Sequence, residues 1–135
     1  MNDMTPRVRF LQSLDRCTRS GEFIHAFYAR FMATSEEVRL KFRNTHFERQ
    51  HKMLLISLRL IAEATNGDAK ALREIRERSE SHSRDRLNIP PHLYELWKLS
   101  LIETAREHDH FWNDDVLIAW NEILGHAIAC MTKRY

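Results

Sequence analysis

Residues 23–54 read FIHAFYARFMATSEEVRLKFRNTHFERQHKML, and this stretch decides the class of fold. Phe23, Phe27 and Phe31 recur every fourth residue with Ile24 and Tyr28 beside them. That is the period of one helical face, not the alternation of a strand. Thr34 and Glu37 have capping-box spacing, so a short amphipathic segment carrying Val38, Leu40 and Phe42 is expected to follow. Thr45 with Glu48 repeats the spacing and opens a longer helix, on which Phe47, Leu54, Leu58 and Ile61 share a face supported by Met53 and Leu55. Neither glycine nor proline interrupts these residues.

The flanks read the same way. Thr5-Pro6 supplies a cap and a first-turn proline, and Val8, Leu11, Leu14 and Cys17 then mark one face up to the break at Ser20-Gly21. Asn66-Gly67 is a helix stop, and Asp68 can cap a segment through Leu72 and Ile75 that turns highly polar up to Arg86. Asn88 to Pro91 breaks the chain. Pro91 then leads a helix burying Leu93, Leu96, Trp97, Leu101 and Ile102 and ending near His108-Asp109. Asn113 caps a last helix with Val116, Trp120, Ile123, Leu124, Ala127 and Met131 inward. Three glycines and three prolines in 135 residues are too few for the turns of a many-stranded sheet. The expectation is an all-α single domain, residues 1–135, of six to eight helices.

A chain that is 43% hydrophobic and 30% charged can fold around its own core. The net charge is +2, and the densest charged run, Arg73 to Arg86, interleaves both signs, so nucleic acid is not an expected partner. No apolar run is long enough to cross a membrane, and the first ten residues lack a signal core, so a cytoplasmic protein without a membrane partner is expected. Cys17 and Cys130 share no CxxC spacing and read as buried thiols in a reducing compartment, with a disulfide as the alternative. There is no HExxH, no Cys/His zinc spacing, no paired Glu-x-x-His, no GxSxG, no P-loop and no GxGxxG. Hydrolase and nucleotide-binding readings lack their parts.

What remains is a pattern of spacings. Tyr28 precedes Phe42 by fourteen residues. Gln50 lies on the long helix with Phe47 one turn before and Leu54 one turn after. His82 follows Gln50 by thirty-two residues and leads into Ser-Arg-Asp-Arg-Leu-Asn-Ile89-Pro-Pro-His-Leu-Tyr94, with Trp97 and Leu101-Ile102 beyond and Ala119-Trp120 in the last helix. In this order the chain resembles the globin superfamily, and within it single-domain bacterial haemoglobins and the globin domain of flavohaemoglobins. The resemblance runs from Leu11 to the end of the sequence.

The resemblance implies a globin fold around haem b (iron protoporphyrin IX), with His82 as the proximal ligand. A neutral imidazole suits iron, held in one tautomer by a bond from its other nitrogen; Ser81 or a carbonyl of the same helix could accept that bond. It implies Tyr28 and Gln50 as distal hydrogen-bond donors, and Phe42, Phe47, Leu54, Ile89, Tyr94 and Trp97 as further pocket residues. His51 is the alternative distal ligand should the register shift by one, giving a six-coordinate haem; His46 is a weaker candidate. The sequence departs from the family at Arg78, where an apolar residue is usual four positions before the proximal histidine. Arg78, Arg84 and Arg86 become candidate partners for the haem propionates. Tyr94 matches a tyrosine that bacterial members pair with a glutamate behind the proximal histidine, but no position in this sequence answers to that glutamate.

The implied function is reversible binding of dioxygen or other diatomic gases, NO and CO included, that is, oxygen binding or transport. Nitric oxide dioxygenase turnover would need a separate reductase, because these residues include no flavin or nicotinamide domain. Two alternatives stand beside this reading: a gas or redox sensor acting through a signalling partner, and a haem-free globin-like interaction module. A homodimer is compatible with each.

Overall fold

Thr5 Oγ1 accepts the Val8 amide at 3.2 Å and Pro6 fills the first turn, so helix α1 runs Pro6–Thr18 as the cap signal requires. The computed structural model describes residues 4–83 and 87–133. Among them the helices are α1, α2 (Phe23–Thr34), α3 (Glu36–Lys41), α4 (Phe47–Ala64), α5 (Ala69–Ser81), α6 (Pro91–His108) and α7 (Asp114–Lys133), with no strand among the described residues.

Two caps fall one residue later than the sequence spacing predicts. Ser35, not Thr34, caps α3 by accepting the Val38 amide at 3.1 Å, while Thr34 Oγ1 turns back to donate to the Phe31 carbonyl at 2.6 Å. His46, not Thr45, caps α4, with Nδ1 accepting the Arg49 amide at 3.4 Å. Thr34, at the end of α2, satisfies its hydroxyl on that helix, which leaves the cap of α3 to Ser35. The Asp68 and Asn113 caps stand where expected, each accepting an amide at 2.9 Å, from Ala71 and Val116. Gly67 has φ +81°, the left-handed conformation that ends α4.

Helix α1 packs on α7, α2 on α6, and α4 on α5, with α5 also against α7. The buried stripe of α1 is Phe10, Ser13, Leu14 and Cys17, rotated from the expected one, so Val8 and Leu11 are only half-buried. The cause is Trp120 on α7, fully buried, whose ring centroid lies 4.6 Å from that of Phe10 and whose Nε1 donates to Ser13 Oγ at 2.9 Å. Ser13 passes the chain of bonds on, donating to Asp109 Oδ2 at 2.6 Å. Arg16 closes it with a bidentate grip on Asp109, at 2.5 and 2.9 Å. This network ties the α6–α7 corner to α1 across the whole sequence.

Other expectations about burial need correction. Leu72, Met53 and Leu40 are exposed, on the margins of α5, α4 and α3 away from the buried stripes of those helices. Cys17 is buried but Cys130 is exposed, and both are free thiols. Among the described residues no helix is long and apolar enough to cross a membrane.

Candidate functional site

Helices α2, α3, α4 and α5, the start of α6 and the end of α7 do not close on one another. They enclose a cavity of about 470 Å³. Its interior is apolar, with Leu54 and Ile61 from α4, Ile75 from α5, and Ala127, Ile128 and Met131 from α7. Cofactor pockets span roughly 300–1,000 Å³ with a few convergent polar groups on an apolar lining. Here those groups are His82, Tyr28, Gln50, Thr45, Ser57 and Ser81, with Lys41 and Arg78 as cations.

His82 is the C-cap of α5, and its ring is fixed on one side. Nδ1 lies 2.9 Å from the Arg78 carbonyl oxygen and 3.0 Å from Ser81 Oγ. A carbonyl can only accept, so Nδ1 carries the proton; Ser81 Oγ spends its own hydrogen on the same carbonyl, at 2.9 Å. Nε2 is left as the lone-pair nitrogen, with no hydrogen-bond partner among the described residues. Burial pulls the imidazole below its ordinary pKa, and the Arg78 charge adds to that against the carbonyl bond, so the ring is neutral near pH 7. The His82 carbonyl accepts the Ile89 amide at 3.1 Å, and Asn88 adopts φ +52° to make the turn, which returns Ile89 to the cavity wall.

A second wall is built by α2 and α4. Tyr28 is 5% exposed, and burial pushes its phenol up to about 12 against a smaller opposing pull from the Gln50 side chain. It therefore stays protonated and available as a donor. Gln50, Leu54, Ser57 and Ile61 line the cavity at helical spacing on α4. Phe42, the C-cap of α3, meets Tyr28 edge-on at 5.9 Å. From α6, Leu93, Tyr94 and Trp97 complete the lining; burial raises the Tyr94 phenol to about 12.

The structure thus brings Tyr28, Phe42, Gln50, Leu54, His82, Ile89, Tyr94 and Trp97 to one cavity. It does not bring Phe47 or His51 there. Phe47 is 37% exposed, set edge-on to Tyr28 and stacked on Phe42 instead of lining the cavity. His51 follows Gln50 by one residue, and one residue on a helix is a rotation of about 100°. It faces a separate shallow depression with His25, Phe47, Glu48 and Lys52. Arg84 and Arg86 lie outside the described residues. Arg78 keeps its guanidinium 3.9 Å from Glu74 while lining the cavity.

Sequence reasoning missed Lys41, Thr45 and Ser57. Ser57 was legible, two turns along the face of Gln50 and Leu54. Lys41 reaches the Leu87 carbonyl at 3.4 Å, a contact no local pattern announces. Nor does any periodicity within α7 say that Ala127, Ile128 and Met131 border this space.

Among the described residues no cluster of three His, Cys, Asp or Glu side chains could hold a bare metal ion. The donor set instead fits a haem, which brings four ring nitrogens and needs one more from the protein. His82 Nε2 could supply it, the apolar lining suits the macrocycle, and Lys41 and Arg78 suit its carboxylates.

No protein-family model and no curated protein matches the chain. A solved structure does: a protein of Pseudomonas aeruginosa PAO1, structurally highly homologous to a human hemoglobin, is similar to this chain at 31% identity. The match covers 97% of this chain and 98% of that one, with a TM-score of 0.92. With its helices in this order and the alignment running almost end to end, the chain belongs to the globin superfamily.

Proposed function

We propose that the protein is a haem globin that binds a diatomic gas reversibly, with His82 as the proximal ligand. The observation that carries the reading is His82 itself: an imidazole at an apolar cavity with Nδ1 engaged by the Arg78 carbonyl and Ser81, and Nε2 without a hydrogen-bond partner among the described residues. A void of about 470 Å³ in an otherwise packed interior is costly unless something fills it. Haem b, when bound, supplies a ferrous centre at which O2, NO or CO coordinates.

The chain's own residues set what happens to that gas. Tyr28 and Gln50 donate hydrogen bonds toward a ligand that gains negative charge, which retains it. Leu54, Phe42 and Trp97 exclude water and so protect the ferrous state. Lys41 and Arg78 hold the haem carboxylates. Reduction of the iron is left to an external donor.

The test is the absorption spectrum of the protein produced with haem supply, ferric, then reduced, then under carbon monoxide. One haem per chain and a Soret band that moves with carbon monoxide are expected. A folded, helical chain that takes up no haem would overturn the reading.

A further inference from the structure

The shallow depression outside the cavity has a wall in common with it: Tyr28 lines both. Gln50 and His51, neighbours on α4, straddle this one side chain. Gln50 approaches its hydroxyl from the cavity side. The His51 imidazole lies flat on the phenol ring, with centroids 4.9 Å apart and planes inclined by 14°. His51 is itself held: His25 meets it edge-on at 4.6 Å and 84°, and Phe47 edge-on at 6.1 Å. Phe47 and Phe42 bear edge-on against Tyr28, each at 5.9 Å. Phe27 adds a fourth ring, at 4.8 Å and 63°, and a phenol with His51 stacked on it and three rings set steeply around it cannot turn about its own axis without displacing a neighbour.

We propose that His51 is a positioning residue: by stacking on Tyr28 it fixes the phenol plane and so aims the hydroxyl, with Gln50, into the gas-binding cavity. This rests on the haem reading above and deepens it. The groups around His51 are His25 from α2 and Glu48 and Lys52 from α4. Burial and His25 hold its imidazole below the ordinary range, against the pull of Glu48, so it meets Tyr28 as a neutral aromatic. Its role is separate from that of an iron ligand, since it does not border the cavity.

Two variants separate stacking from every other property of histidine. His51→Ala removes the ring; His51→Phe keeps a ring of similar size without its nitrogens. In the haem-loaded protein, O2 dissociation is expected to be about tenfold faster in His51→Ala and within about twofold of the parent in His51→Phe. The C–O stretching band of the carbon monoxide complex should broaden and move toward that of Tyr28→Phe in the alanine variant alone. On a Tyr28→Phe background, His51→Ala should add nothing. Equal rates in His51→Ala and the parent, or full additivity with Tyr28→Phe, would overturn the proposal.

A haem-independent readout keeps the two readings apart. In ring-labelled tyrosine protein, with Tyr28 assigned by Tyr28→Phe, flipping of the Tyr28 ring should be slow in the parent and in His51→Phe, and fast in His51→Ala. If the chain takes no haem, the function fails while ring flipping still judges the stack. If haem binds but His51→Ala flips no faster, only the positioning role fails.

Discussion

His82 donates from Nδ1 to the carbonyl of Arg78, one turn back on α5, at 2.9 Å. The bond fixes the tautomer, and because its main acceptor is backbone, no substitution at Arg78 removes it. Ser81 is the replaceable part. Ser81→Ala is expected to retain haem and to lower the iron–histidine stretching frequency in resonance Raman spectra, because the imidazole loses one of two acceptors. An unchanged frequency would show that the serine contributes nothing to the ligand.

The donor pair in the cavity gives a rate prediction. Tyr28→Phe removes a protonated phenol that burial has made a weak acid. O2 dissociation, followed by stopped-flow displacement with carbon monoxide, should be about tenfold faster, the equivalent of about 1.4 kcal/mol for one hydrogen bond. Gln50→Leu should behave similarly. If both variants released O2 at the parent rate, the ligand would have no donor on this wall.

Asp109 controls stability in acid. Burial alone would raise its pKa, but bonds from Arg16, Ser13 and the Phe111 amide outweigh that and hold the carboxyl below its ordinary range. A depressed folded-state pKa contributes stability that is present above the unfolded value, near 4 on the order of model peptides, and lost as pH falls through the lower folded value. Asp109→Asn should therefore lower stability at neutral pH, by about 3 kcal/mol, since the buried side of Arg16 is left unpaired. Its loss relative to the parent should shrink as pH falls through 4 and below, as denaturant titrations at pH 7 and pH 3 can show. A deficit that stays constant with pH would contradict the ion-pair account.

The two cysteines differ in reactivity. Cys17 is fully buried, and burial pushes its thiol up to about 12, while Cys130 is exposed near the end of α7. Thiol counting with a neutral reagent should find one fast group in the native protein and two after unfolding. Two fast groups in the native state would mean that α1 opens readily.

Much of this was written in local sequence, and the rest depends on what lies across the fold. Capping side chains at Thr5, Asp68 and Asn113, and the stop at Asn66-Gly67, announce helix ends because their chemistry is satisfied within four residues. The same logic misplaces two caps, where Ser35 and His46, not Thr34 and Thr45, accept a first-turn amide of α3 and α4. The spacing of Tyr28, Phe42, Gln50 and His82 carries the cavity because each sits on an element whose position the helix order sets. Phe47 and His51 were unreadable in detail: a helical face is broad, and only the actual approach of α2 decides which residue at its margin turns inward. Lys41 and the α7 residues were not legible as cavity lining: Lys41 reaches across to the Leu87 carbonyl, and only the packing of α7 on α4 and α5 brings Ala127, Ile128 and Met131 to this space.

The most direct test of the account is chemical rescue at His82. His82→Gly removes the imidazole while leaving the Arg78 carbonyl and Ser81 in place to receive a free one. His82→Gly should bind haem weakly, without the parent's ferrous spectrum, and added imidazole should restore that spectrum and its carbon monoxide shift. A parent-like spectrum in His82→Gly before any imidazole is added would contradict this, because another side chain would then hold the iron.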